Sequence, residues 1–341
     1  MVNKHINKKI YKFIFLLILF IFQLFIYIII NKIKNEQIQK IALINELNRI
    51  FTNLFFYVRN KFYITSNNIE NSNIDNKKNK ILLCTIGKME NLYAKEFVEY
   101  YTHLGFDKII IMDNNDLEGE TFDNILQNYI AEKVVEIKDI RGLKSVQIPS
   151  YNYCYQKYMY LYDWLAFFDF DEFLSIKNKS NIKNYLYDKS LDKCQLILIN
   201  WYIYDDNNLL KRDSRAMIQR FKNLKRISSA TKFIVRGNMP NLMITSSHFA
   251  INTNYCNSKG ELIFPNTNFL FYQEKNPIAH LKHFYTKTAE EYCNKINKGD
   301  VQFQFIKYDK LWKRNKIKNF FKYNTKTKQK LELLEKCIHI D

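Results

Sequence analysis

From residue 81 onward the chain alternates short apolar runs with stretches in which apolar residues recur every three or four positions. Ile81-Leu-Leu-Cys-Thr-Ile86 reads as a buried strand, and Glu90 to Leu104 has helical spacing. Asp107 to Asp113 predicts a second strand, Phe122 to Ala131 a helix and Lys133 to Lys138 a third strand. A helix over Pro149 to Tyr162 then feeds an apolar run beginning at Trp164. Further strands are expected at Cys194 to Tyr204, Thr231 to Arg236 and Leu262 to Tyr272, with closing helices at Thr288 to Lys298 and Phe320 to Cys337. Strand–helix alternation of this kind predicts an α/β domain with a mostly parallel sheet flanked by helices and right-handed crossovers.

Upstream the pattern changes. Phe13 to Ile30 is apolar apart from Gln23 and Tyr27, long enough to span a hydrocarbon core. Lysines 4, 8, 9 and 12 precede it and no small-residue cleavage site follows, so an uncleaved signal anchor with a cytosolic N-terminus is expected. Ile33 to Phe62 has helical spacing with mixed charge, and Ser66 to Lys80 is a polar, asparagine-rich linker. The expected order is a basic tail at 1–12, a transmembrane helix at 13–31 and a stalk and linker at 32–80. A catalytic-sized domain at 81–305 and a basic helical segment at 306–341 follow. Such a chain is single-pass, in a Golgi-type lumen if eukaryotic.

The most informative chemistry lies at the end of the Trp164 run. Trp164-Leu-Ala-Phe-Phe-Asp169-Phe-Asp171-Glu172-Phe-Leu174 is nearly unbroken apolar sequence ending in three carboxylates. It reads as a strand buried on both faces whose carboxyl end opens at the edge where ligands of open α/β sheets bind. Acidic groups there need positive compensation, and the Asp-x-Asp alternation lets two carboxylates reach one divalent cation. The 341-residue chain has 52 Lys and Arg against 34 Asp and Glu, a net charge of +18 that fits an anionic partner. No zinc-finger, ribonucleoprotein or helix-turn-helix signal accompanies it, so no nucleic-acid partner is expected. None of the six cysteines forms a Cys-x-x-Cys pair; Cys84 and Cys194, in apolar runs, read as core thiols. Cys154, Cys256, Cys293 and Cys337 could pair in an oxidising lumen.

Five segments together resemble glycosyltransferase family 92 and its family 2-like relatives. They are the opening around Glu90, Glu96, His103 and Gly105; Asp113-Asn-Asn115; and Gln147 with Asp163-Trp164 and Asp169 to Phe173. Lys232 to Arg236 with His248, and His283-Phe-Tyr285 with Lys295 and Gly299, complete the set in the family's order. Met89 stands where the family usually has Asn, Phe284 interrupts its His-Tyr pair, and Gly237 replaces a proline. The resemblance implies a GT-A fold and a membrane-anchored, metal-dependent transferase moving a sugar from a nucleotide-diphosphate donor to a glycan, protein or lipid acceptor. It also implies Mn²⁺ or Mg²⁺ held by Asp171, with Asp169 on the metal or the donor ribose and His283 ahead of His280 and His248 as a further ligand, His280 sharing its face if the segment is helical. Glu90, Asp113, Lys88, Glu172, Lys232 and Arg236 are expected around the donor, and Asp205 or Asp206 as the base. Trp201 and Tyr202 could stack on a sugar. Competing readings are a metal-dependent phosphoesterase or nuclease using the same carboxylates, or a catalytically degenerate tethered binding module.

Overall fold

The strand at Ile81–Gly87 (β1) shows how the sheet is built: Ile81 and Leu83 pack into one apolar cluster, Leu82, Cys84 and Ile86 into another. Period-two alternation with both sides apolar is what a sheet covered on both faces requires. The helix Asn91–Leu104 (α1) covers the first face through Tyr93, Ala94, Phe97, Val98 and Tyr101, which recur every three or four residues. Gly105, with φ 101°, ends it in the left-handed conformation. The helix Gln147–Tyr158 (α3) covers the second face through Tyr151, Cys154, Tyr155 and Tyr158. A short helix, Gln127–Ala131 (α2), precedes the edge strand.

The computed structural model describes residues 79–263, 272–298 and 310–337, all within one compact unit, Asn60–Asp341. The expected tail, membrane helix and nearly all of the stalk lie outside the described residues. Among the described residues no helix is long and apolar enough to cross a membrane.

The strands Lys108–Asp113 (β2), Val135–Asp139 (β3) and Trp164–Phe167 (β4) join β1 in parallel, in the order β3-β2-β1-β4. Beyond β4 the sheet is not parallel. Leu224–Arg236 (β7) runs antiparallel to β4 and to Leu196–Tyr204 (β6). Ala279–His283 (β12) pairs in parallel with β6 and antiparallel with Glu172–Ile176 (β5). The expectation of a mostly parallel sheet is therefore corrected to a mixed α/β sheet. The apolar run from Trp164 is also two strands rather than one. It breaks after Phe167 at a turn in which the Glu172 N–H donates to the Asp169 carbonyl.

Tyr255–Cys256 (β10) and Leu262–Ile263 (β11) extend the far edge, while Met243–Ser246 (β8) and Phe249–Ile251 (β9) form a separate hairpin. Short helices occur at Ile182–Leu186 (α4) and Met217–Arg220 (α5). The single helix expected over Phe320 to Cys337 is two, Lys310–Tyr323 (α7) and Lys328–Lys336 (α8). Both pack on Ala289–Lys298 (α6) through Tyr292, Ile296, Ile317, Phe320 and Leu334.

All six cysteines are paired, as Cys84–Cys154, Cys194–Cys256 and Cys293–Cys337. This corrects the reading of Cys84 and Cys194 as core thiols. Both are buried, but Cys84 on β1 meets Cys154 on the covering helix, and Cys194, just before β6, meets Cys256 on neighbouring β10.

Helix α6 is seated by a buried ion pair. Arg220 donates from Nη1 and Nη2 to the two oxygens of Glu291 at 2.7 and 2.9 Å, and both side chains are all but fully buried. Burial pushes the Glu291 carboxyl up, but the Arg220 bonds and charge outweigh it and hold the group below its usual range. Tyr93 of α1 donates to the same carboxylate. Thr288 and Glu291 complete a capping box: Glu291 accepts from the Thr288 N–H and hydroxyl, and Thr288 Oγ1 accepts the Glu291 N–H. Removing one partner of such a pair strands a buried charge, so Glu291→Ala is expected to cost about 3–5 kcal/mol. The check is the urea midpoint, with an unchanged slope. Thiol titration of the unreduced protein should find no free sulfhydryl, and reduction should release all six.

Candidate functional site

At the carboxyl edge of β1 and β4 a cleft of 250 Å³ opens between the 169–172 turn and α6. The turn is fixed by its middle residue. Phe170 points inward, stacked on Phe122 with ring centroids 5.4 Å apart and against Phe97 at 4.7 Å. It lies over Gly87 at the end of β1, where any Cβ would come within 2.6 Å of the Phe170 ring. Anchoring Phe170 leaves Asp169 and Asp171 at the cleft wall.

Asp169 Oδ2 accepts from Lys232 Nζ at 2.8 Å, and Oδ1 from the Tyr151 hydroxyl at 3.0 Å and Gln147 Nε2 at 3.4 Å. Burial raises its pKa, but the Lys232 charge and hydrogen bond prevail and hold it below the usual carboxylate range. Lys232 is almost fully buried, yet the charges of Asp169 and Glu172 hold its pKa above the usual value against desolvation. Asp171 Oδ2 accepts from Lys295 Nζ at 2.9 Å, and its Oδ1 lies 3.5 Å from His283 Nε2. Burial opposes ionisation there too, but Lys295 and His283 keep the carboxyl well below the normal value. Glu172 is fully buried behind the turn and accepts the Asp169 N–H at 2.9 Å. Its pKa is raised well above normal, burial outweighing Lys232 at 3.9 Å. Glu172 thus shapes the turn instead of facing the cleft.

Glu90 lines the cleft as the residue capping α1, yet makes no capping bond with its side chain. Its carboxylate is held by Lys298 and, at 3.5 Å, by Lys287. Lys88 also lines the cleft, paired with Asp116 at 2.8 Å. Asp113 is different: its Oδ1 accepts from the Asn115 N–H and amide, while Asn115 Oδ1 takes the Met89 N–H. That carboxylate builds the loop under the cleft. Met89 has φ 52°, in the left-handed region that asparagine tolerates better.

Three expectations are corrected. Arg236 lies near the opposite end of β4, paired in register with Trp164. Its guanidinium stacks on the Trp164 ring at 4.3 Å and donates to the carbonyls of Cys194, Leu191 and Asp192. Gly237 follows because a Cβ there would come within 2.0 Å of the Tyr162 carbonyl oxygen. Neither Asp205 nor Asp206 lines the cleft. Asp206 is buried in an ion pair with Lys330 at 2.5 Å, and Asp205 Oδ1 accepts the Asn207 N–H. Finally, the His280–His283 segment is a strand, not a helix, so the two rings face opposite sides. His280 stacks on Tyr202 at 4.1 Å, with burial lowering its pKa to about 4, while His283 packs on Trp201 at 4.4 Å beside Asp171.

The cleft also holds residues outside the expected site, although Lys295 and His248 stand in the family-like motifs. Lys295 and Lys298 line it from one turn of α6. His248 lines it as well, its Nδ1 2.7 Å from the Thr231 carbonyl oxygen. Lys295 carried a motif signal, but only its i,i+3 spacing marks Lys298 among 52 basic residues.

Does this site suit a divalent ion? Burial lowers the His283 pKa and keeps the imidazole neutral, while Asp171 is ionised, so a nitrogen and an oxygen donor face each other 3.5 Å apart. Those donors fit Mn²⁺ or Mg²⁺. Asp169, expected on the metal or the donor ribose, accepts from Lys232 at Oδ2 and from Tyr151 at Oδ1. Among the described residues no three His, Cys, Asp or Glu side chains converge on one point. An ion held by Asp171 and His283 would draw its other ligands from water and a substrate phosphate, as Mg²⁺ commonly does.

Comparison with known proteins bears on the family. A glycosyltransferase family 92 protein of Ricinus communis is 25% identical over 118 residues, 32% of this chain and 21% of that protein. The chain thus matches about a fifth of that relative's length. Among solved structures, the Staphylococcus aureus TarS 1–349 fragment in complex with UDP-GlcNAc is similar at 10% identity, with a TM-score of 0.35 over 76% of this chain and 79% of that one. A mannosyltransferase from Pyrobaculum calidifontis, in complex with GDP-Man and Mn²⁺, gives 8% identity and a TM-score of 0.27 over 47% of this chain and 46% of that one. The family model for glycosyltransferase family 92 matches residues 81–311, most of the chain and nearly all of the sheet with its cleft, and the chain belongs to that family.

Proposed function

We propose that this chain transfers a sugar from a nucleotide-diphosphate donor to the hydroxyl of a glycan, protein or lipid acceptor, using the cleft between the 169–172 turn and α6. The observation that carries the reading is the ionised Asp171 beside neutral His283 in a cleft otherwise rich in ammonium groups. A sugar nucleotide brings a diphosphate, and the bond to be broken leaves negative charge on it. A divalent cation bound by Asp171 and His283 would supply Lewis-acid stabilisation of that charge. The remaining roles belong to the chain's own residues. Lys232 and Tyr151 hold Asp169 in a fixed rotamer where it can accept from donor hydroxyls, and Glu172 fixes the turn through the Asp169 N–H. Trp201 offers an aromatic surface at the cleft wall for a sugar face.

The acceptor hydroxyl must lose a proton, and His248 suits that task. Its Nδ1 faces a carbonyl oxygen that can only accept, so Nδ1 carries the proton and Nε2 the lone pair. Burial, helped by the Lys232 charge, lowers its pKa and keeps it neutral. Its ring stands 5.2 Å from that of Trp201. Three disulfides support a lumenal or extracellular placement of the domain, with the apolar segment at 13–31 as the membrane anchor and the N-terminus cytosolic.

A thermal-shift screen of nucleotide sugars with and without Mn²⁺ tests the reading. A donor should raise the melting temperature more with Mn²⁺ than without, and Asp171→Asn should abolish both the Mn²⁺-dependent part and turnover. Normal turnover by Asp171→Asn would sink the assignment. With the donor so identified, His248→Gln should retain donor binding while transfer falls by about 10²–10⁴, the range for loss of a general base. An unchanged rate would remove His248 from the mechanism.

A further inference from the structure

We propose that Lys295 is an exchangeable counter-ion. It neutralises Asp171 while the cleft is empty, and turns to the donor's diphosphate, joined by Lys298, when a divalent cation enters with the donor. The inference rests on the sugar-transfer reading of the same cleft and assigns roles that reading leaves open.

The lysines that β7 and α6 bring to the turn differ in how they are held. Lys232 is almost fully buried and lies close to both Asp169 and Glu172, so it is a fixed part of the wall. Lys295 is about a third exposed, with its ammonium on Asp171 Oδ2 at 2.9 Å and on the Tyr285 carbonyl at 2.9 Å. Its stem packs by the Tyr285 ring, with Nζ 4.4 Å from the centroid. Only one of these contacts is to a charge, and that charge is the carboxylate an incoming cation would take. A divalent ion between Asp171 and His283 would stand beside the Lys295 ammonium, and like-charge repulsion would then oppose the resting pair. A lysine side chain carries a compact charge on a flexible stem, so it can move to a new anion without moving the backbone.

Lys298 stands three residues further along α6 and so on the same face. It binds Glu90 and donates to the Lys88 carbonyl at 2.9 Å, within the same cleft. Both lysines lie in the C-terminal half of α6, toward the end where the helix dipole favours cations. The capping box and the Arg220–Glu291 pair fix the other end of that helix. Two ammonium groups on flexible stems thus come from one helix, one beside each acidic wall of the cleft. Two phosphates of a leaving diphosphate match that pair in number and charge.

The exchange makes opposite demands on two affinities. Lys295 competes with the cation for Asp171 in the empty cleft but assists the cation–diphosphate complex. Mn²⁺ binding to the whole domain is followed by electron paramagnetic resonance, and inorganic pyrophosphate binding in the presence of Mn²⁺ by calorimetry. Lys295→Met should bind Mn²⁺ alone several-fold more tightly than wild type. It should bind pyrophosphate about tenfold or more weakly, the loss expected for one charge-assisted hydrogen bond. Lys295→Arg, which keeps the charge, should recover most of the pyrophosphate affinity. Lys298→Met should weaken pyrophosphate alone, because it does not touch Asp171. A Lys295→Met protein of wild-type melting temperature that binds Mn²⁺ no more tightly, or pyrophosphate as well as wild type, overturns the proposal. If the wild-type protein binds no pyrophosphate with Mn²⁺, the sugar-transfer reading fails first.

Discussion

Three carboxylates within four residues, Asp171 and Glu172 buried and Asp169 partly so, are the constraint around which the domain is arranged. Left alone, each ionised group would cost several kcal/mol or more in a low-dielectric interior. The fold compensates each one differently. Asp169 receives a buried lysine from β7, and Asp171 a lysine from α6 with a histidine from β12. Glu172 has its pKa pushed up and serves the backbone. These contributions come from the antiparallel side of the sheet and from the segment after it. The departure from a parallel sheet beyond β4 is therefore what brings compensating charge to the turn.

Apolar packing supplies the other half of the geometry. Phe170 sits between two aspartates and is held by Phe97 and Phe122 over a glycine. An Asp-Phe-Asp sequence with its central ring locked inward has little freedom left for the flanking side chains. The site's acidic wall is thus set by core packing, and its basic wall by helix α6 on its own buried ion pair. A substitution among the aromatic residues under the turn would change chemistry without touching a charged group.

Much of this was legible in the sequence. The β1–β4 alternation, the helices covering them and the importance of residues 169–172 follow from periodicity and from apolar sequence ending in acid. The mixed sheet was not legible, because a strand buried on both faces looks alike in either direction. Nor was the break after Phe167, since Phe168 and Phe170 continue the apolar pattern while the backbone turns. Residue roles were hardest where one type is abundant. Arg236 looked like a phosphate ligand but stitches carbonyls near the far end of β4, while Lys298 looked like a surface lysine and Lys295 stood in a motif without a stated role. Asp205 and Asp206 carried a turn signal and a base signal at once, and the turn and an ion pair to α8 account for them. Disulfide pairing depends on which strand lies beside which, and spacing along the chain does not encode that.

The contacts that build the cleft span long stretches of chain. Lys295 meets Asp171 across 124 residues, and Lys298 meets Glu90 across 208. Contacts of that span are slow to form, because the loop must close before the contact stabilises anything. A nascent chain whose parallel strands have already formed therefore still lacks the lysines that neutralise Asp171 and Glu90. Asp171 and Glu90 precede α6 in the chain, so the lysines that neutralise them are made only after the acidic turn. A chain cut before α6 would keep the acidic turn and lose the two lysines that face it, so an intact α6 is what completes the site.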